Sequence, residues 1–294
     1  MVVAMEIIKT ILIYAVMLGS LYLLVSLGFS LICGVLGIFN LGYGITFVVA
    51  VYGMWFLMHT CGFGLLPAIA GVFVLQFLFT LGIIYYPIVK RYMEQEEFLL
   101  TSLLLVSLII EEFVNHVYPI TAGVDIPTTI IPGTIELGGS TLPFQMLFVV
   151  VFAVIITAFF VVFLLKTRLG LKIQAVSQNH DAAQLMGVKV GRVHIIAMLL
   201  AAIPPTICMI VIAPVWAIEP AMGESLLQTA ILVTILGGLG NLRGTIMASL
   251  IVGLISSSIA FLVNPRLVNA AILICVFLVL LFKPEGITKS ESLW

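Results

Sequence analysis

The chain has 294 residues, of which 63% are hydrophobic and 9% charged, with a formal net charge of −1. Soluble domains carry roughly 25% charged and 45–50% apolar residues, so this composition excludes an ordinary soluble globule. The near-neutral balance also gives no electrostatic basis for a nucleic-acid partner.

Continuous apolar runs of about 18 or more residues read as transmembrane helices, because about 20 residues at 1.5 Å rise cross a hydrocarbon core of roughly 30 Å. A β-barrel would instead show alternating segments of about ten residues. Spans are predicted near 10–33, 45–60, 64–87, 98–118, 143–165, 193–213, 223–238, 245–262 and 267–282. The expected fold is one all-α, polytopic membrane domain over residues 1–294, with eight to ten helices and nine as the best count. No length is left for an independent soluble domain.

In chain order, Met1–Thr10 has no basic n-region or small-residue cleavage site, so the first span reads as retained. The stretch 34–44 follows, with Gly34, Gly37, Gly42 and Gly44 around Asn40 and Tyr43. Loop 88–97 mixes Lys90 and Arg91 with Glu94, Glu96 and Glu97; it reads as a solvated turn or as a weaker contact for a partner. The fourth span carries Glu111 and Glu112 near its outer end. Carboxylates inside a span are costly and point to function, although snorkelling or a pair with His116 is the alternative. Loop 119–142 has no basic residue and reads as a docking surface or a simple connector. Glu219 and Glu224 flank the turn Pro220–Gly223, where a surface role is expected. A second glycine-rich stretch, 236–244, holds Gly237, Gly238, Gly240 and Gly244 with Asn241 and Arg243. Interrupted helices often mark a transporter's substrate path, and close helix packing is the competing reading. Cys33, Cys61, Cys208 and Cys275 are far apart, without metal-ligand spacing, so they read as packing residues and no metal site is expected.

The least hydrophobic long stretch, 166–192, holds five of the twelve Lys and Arg: Lys166, Arg168, Lys172, Lys189 and Arg192. With nine spans, ten of the twelve fall on one side. The positive-inside rule then places this island and the C-terminus in the cytoplasm and the N-terminus outside. Within the island, Asn179 is a good N-cap and Asp181 suits the positive end of the helix dipole. His180, Ala182, Ala183, Leu185 and Met186 continue the helix, and Gly187 fits the left-handed position that ends it. A helix over 180–186 is predicted, too short to stand alone. Its apolar knob would be Ala182, Ala183, Leu185 and Met186, and the flanking cations would meet acids on a partner or anionic lipid headgroups. The alternative is a basic loop that only orients the protein.

This island, Lys172-Ile-Gln-Ala175-Val-Ser-Gln-Asn179-His180-Asp181-Ala182-Ala183-Gln-Leu-Met-Gly187-Val188, resembles the R-A-x-x-x-N-x-x-A-A-x-x-x-G-[IV] loop of permeases from ABC importers of branched-chain amino acids. Residues 32–44 are similar to that family's Y-G-x-x-G-x-x-N-F-A-H-G, residues 235–244 to its L-G-G-L-G-S-x-x-G, and Phe282–Gly286 to its F-R-P-x-G. The order is right and the coverage nearly complete. One departure is Gly42-Tyr43 where the family often has Ala-His, which leaves substrate specificity open.

The resemblance implies a second related permease as partner, two cytoplasmic ATPase subunits and an external solute-binding protein. It makes the 180–186 segment a coupling helix. No cofactor is expected in this chain: it contains no G-x-x-x-x-G-K-[ST], so ATP and Mg²⁺ would sit on the ATPases. An ion-coupled secondary transporter is the rival. An intramembrane enzyme lacks support, with no H-E-x-x-H and no paired intramembrane Asp. The substrate remains open among branched-chain amino acids, other amino acids, amides and urea.

Overall fold

The computed structural model describes residues 2–118, 133–137, 140–216 and 218–288. Backbone groups in lipid must be satisfied within the chain, and every predicted span is a helix. The first is α1 (Val2–Leu36). Next comes α2 (Tyr43–Trp55), extended by a π-helical turn at Phe56–Thr60. After it, α3 (Leu65–Phe79) runs through a π-helical segment, Thr80–Val89, into the short α4 (Lys90–Tyr92). Pro87 lies inside that segment, where its missing N–H favours a break from regular α geometry. Then come α5 (Glu96–Val117), α6 (Phe144–Lys166), α7 (Arg168–Gln178), α8 (His180–Leu185), α9 (Val190–Ile212), α10 (Met222–Gly237), α11 (Leu242–Leu262) and α12 (Val268–Phe282).

Among the described residues, seven segments are long and apolar enough to cross a membrane: Glu6–Leu36, Tyr43–Thr60, Leu65–Tyr92, Phe144–Lys166, Val190–Ile212, Leu242–Leu262 and Pro265–Phe282. The other two predicted spans are helical but differ in kind. Helix α10 has 16 residues, and α5 carries Glu96, Glu97, Glu111 and Glu112. The chain is an all-α polytopic membrane protein with one small addition. Within the predicted external loop, β1 (Thr134–Leu137) pairs antiparallel with β2 (Ser140–Pro143), Thr134 opposite Pro143. Residues 119–132 and 138–139 of that loop lie outside the described residues, as do Lys289 and the rest of the tail.

Helix α1 is the hub, packed against α11, α9, α10 and α6. Lipid is as apolar as leucine, so helices in a membrane associate through close backbone approach and interhelical hydrogen bonds. The antiparallel α1–α11 pair uses both. Ser257 Oγ donates to the Ile11 carbonyl at 2.7 Å, and Thr245 Oγ1 donates to Ser30 Oγ at 2.9 Å. Between them Gly19 faces Gly253, backbone against backbone. The principal core spreads over α1, α2, α3, α6 and α9, and a smaller cluster of Val233, Leu236, Ala248, Val252, Ile272 and Val276 joins α10, α11 and α12. The C-terminal end of α1, the α10–α11 turn, the tail and the 166–192 island share one end of the bundle, with α7 against α1, α6 and α9.

Candidate functional site

The island folds as two capped helices rather than one. Thr167 Oγ1 accepts from the Gly170 N–H at 2.9 Å and starts α7, an element the basic composition concealed. Ile173 and Val176 bury one face of α7, and Gln174 Nε2 donates to the Leu164 carbonyl at 2.7 Å, tying α7 to the end of α6. Asn179 closes α7 and caps α8, its Oδ1 accepting from the Ala182 N–H at 2.9 Å. At the other end Gly187 has φ +82°. Its N–H donates to the Gln184 carbonyl at 2.9 Å, and that of Val188 to the Ala183 carbonyl at 3.1 Å. This is the Schellman pattern, in which a left-handed glycine satisfies the last carbonyls. The helix ends at Leu185, with Met186 as its C-cap.

The predicted knob needs one correction. Ala183 is buried at 5% exposure and anchors α8 to the body, so it does not belong to the outer surface. Six residues are too few for periodicity to fix which face turns inward. Leu185 and Met186 stand 88% and 85% exposed, more than any other large hydrophobic side chain among the described residues. Ala182, Asp181, Lys166, Arg168, Lys172, Lys189 and Arg192 of the same island are exposed as well, and His180 Nδ1 lies 3.7 Å from Asp181 Oδ1. Lys or Arg at the centre of the hydrocarbon costs about 2.5–3.5 kcal/mol each, so five together hold this tip in water. Loss of the cap in Asn179→Ala is expected to destabilise α8 by about 1 kcal/mol, read as roughly fivefold faster amide exchange over 180–186.

Inside the bundle, Asn40 and Tyr43 are each 1% exposed. They line one cavity with Ile32, Thr46, Thr80, Ile84, Met198 and Ala202. Its free volume is about 10 Å³, on the order of one water and far below the roughly 300 Å³ at which small-molecule pockets begin. Two of the lining side chains carry buried polar atoms without a partner, Asn40 Oδ1 and Thr80 Oγ1, and the Tyr43 hydroxyl lies beside them against the Phe29 backbone. Gln76, one turn before Thr80, is fully buried with both amide atoms unpartnered. Such groups are rare in native interiors, and Asn40, Gln76 and Thr80 mark polar positions within an apolar bundle. Sequence reading missed Gln76 and Thr80, since a lone polar residue is averaged away in a long apolar window.

The second glycine-rich stretch does something else. Asn241 Oδ1 accepts from the Gly244 N–H at 3.0 Å and caps α11. A Cβ on Gly240 would lie 2.5 Å from the Gly34 Cα, and Gly237 packs against Gly244. The tail closes over them: the Ile287 N–H donates to the Leu236 carbonyl at 2.9 Å, and Thr288 Oγ1 to the Gly237 carbonyl at 2.6 Å. Two glycine-rich stretches and the tail, distant in sequence, thus form one knot. Asn241 belongs to it and does not line the Asn40 cavity. Gly37 and Gly42 lie in the turn between α1 and α2, and Gly44 packs against Gly223. Glu111 is half-buried in a separate notch with Gly44, Ser107, Gly223 and Glu224, whereas Glu112 is exposed on the adjacent face of α5, as the 100° step between neighbours requires.

Residues 11–281 match the family model described as branched-chain amino acid transport system / permease component. A curated relative is the probable branched-chain amino acid transport permease protein LivH of Methanocaldococcus jannaschii, 28% identical over 153 residues, which is 48% of this chain and 48% of that protein. The chain therefore spans about half the length of the curated relative it matches. No solved structure matches. The helical bundle with its apolar spans and the match over nearly all of the chain agree: this multi-pass membrane protein belongs to the family of branched-chain amino acid transport permease components.

Proposed function

We propose that the chain is the membrane subunit of an ATP-driven importer of branched-chain or related amino acids. In this reading it pairs with a second related permease and receives solute from an external binding protein. Two ATPase subunits, which carry the ATP and Mg²⁺, drive it from the cytoplasm. The basic end, with α8 and the C-terminus, faces the cytoplasm of a prokaryotic cell, in accord with the positive-inside rule. The observation that carries the reading is the tip of α8. Two large apolar side chains stand in water, held by an N-cap, a Schellman turn and the buried Ala183. Two adjacent large apolar side chains, both almost fully exposed on a capped helix, form the kind of patch that another surface covers. The island's cations suit an acidic rim on the ATPase or anionic lipid headgroups.

The experiment is uptake into vesicles. The expected result is transport that requires ATP, both ATPases and the binding protein. Uptake by the purified chain alone, driven by a proton or sodium gradient, would replace this reading with a secondary transporter.

A further inference from the structure

We propose that Tyr85 and His194 are positioning residues that convey displacement of α8 to the closed cavity at Asn40 and Tyr43; this rests on the docking role given to α8 above. His180 is the first residue of α8, and its ring lies 5.5 Å from that of His194, tilted by 33°. His194 is 4% exposed, one turn into α9. On a helix, residues four apart share a face. His194, Met198 and Ala202 therefore form one stripe, and the last two line the cavity. Beyond them Pro204 and Pro205 lie inside α9. Neither has an N–H for the carbonyl four residues back, so the Leu200 and Ala201 carbonyls lose their ladder bonds, and this is where α9 bends most easily. The Ala201 carbonyl lies against the bare Cα of Gly28, close to the Tyr43 hydroxyl. Residues 190–203 thus form a lever: the ring contact at its free end, the cavity wall along its length, the proline pair as fulcrum.

The opposite wall is tied to the same free end. The Tyr85 hydroxyl donates to the Gly191 carbonyl at 3.1 Å. Tyr85 belongs to the π-helical segment whose Thr80 and Ile84 also line the cavity. A π-helical stretch packs its turns less regularly than an α-helix and is a common site of adjustment. A shift of α8 against the body therefore reaches both walls through the first turn of α9. The polar atoms left without partners on Asn40 and Thr80, with the Tyr43 hydroxyl beside them, are those that parting walls would offer to water or solute.

The test uses the complete importer in proteoliposomes and measures substrate moved per ATP hydrolysed, beside ATPase retention. Tyr85→Phe removes one hydroxyl at nearly constant volume. It is expected to retain the ATPases and lower uptake per ATP at least about fivefold, the low end of allosteric coupling. His194→Ala is expected to do the same. His194→Phe keeps the ring contact, discards an unpartnered nitrogen and is expected to restore the ratio. Wild-type uptake per ATP in Tyr85→Phe overturns the proposal, and so does a His194→Phe chain as uncoupled as His194→Ala. If His194→Ala does not assemble, Tyr85→Phe decides alone. Failure of the docking reading looks different: ATPases that stay bound to a chain carrying Leu185→Asp and Met186→Asp would remove the ground on which the lever stands.

Discussion

An importer whose permease carries Leu185→Asp and Met186→Asp is expected to lose its ATPase subunits while the permease itself folds and inserts normally. The two side chains are 88% and 85% exposed, so the chain's own core gains nothing from them. Fully burying a leucine or methionine side chain stabilises by about 1.5–3 kcal/mol, and two together amount to about 3–6 kcal/mol, or roughly 10²–10⁴ in Kd. Charge introduced at a buried contact adds to that loss. Co-purification of the ATPases with the variant, against unchanged thermal unfolding of the permease, checks it. Leu66→Asp is the control: Leu66 is 79% exposed near the start of α3, at the other end of the bundle, and should leave docking untouched. Retention of the ATPases at wild-type affinity would show that α8 is not their contact.

The second large effect lies in the glycine knot. Gly240→Val is expected to lower stability by about 2–6 kcal/mol, combining left-handed backbone strain of about 1–3 kcal/mol with overpacking of about 1–3 kcal/mol. Both causes are visible at the position. Its φ is +74°, and a Cβ would stand 2.5 Å from the Gly34 Cα and 3.0 Å from the Gly34 nitrogen. The obstacle is the backbone of the last turn of α1, met by the α10–α11 turn, so no side chain can swing aside. Gly187 separates the two contributions, because its φ is +82° but open space surrounds it. Gly187→Val should show only the backbone share. Thermal unfolding of both variants in the same detergent, together with yield of inserted protein, reads the difference. Equal losses at the two sites would mean that the close approach of the α10–α11 turn to the end of α1 contributes nothing.

The sequence was a good guide where local chemistry decides the outcome. Asn179, Asp181 and Gly187 place a helix within one residue of where it lies, because capping depends on neighbours three to five positions away. The apolar runs located nine helical segments, because length against hydrocarbon thickness is a one-dimensional constraint. Legibility ended where several distant segments share one place. Nothing in 34–44 or 236–244 says that the two stretches touch each other, or that only the first keeps polar atoms facing a cavity. Gln76 and Thr80 were invisible for the same reason. Thr80 takes its meaning from Asn40 and Tyr43 across the cavity, and a single polar residue in a run of valine, leucine and phenylalanine carries no local signal. Helix α7 was hidden by its charge, although Thr167 as N-cap and the Ile173–Val176 spacing were there to be read.

The pairing of α1 with α11 sets a timetable for biogenesis. The Ile11 carbonyl and the Ser257 hydroxyl that meet in the finished protein are 246 residues apart. At a translation rate of roughly 5–20 residues per second, about 12–50 s separate the synthesis of one from that of the other. Throughout that interval α1 sits in the bilayer with its glycine- and serine-bearing face uncovered, the kind of surface that membrane helices use to find one another. The nascent chain is then open to pairing with a neighbour's first helix. The arrival of α11, followed by residues 286–288 closing over the Leu236 and Gly237 carbonyls, ends that exposure.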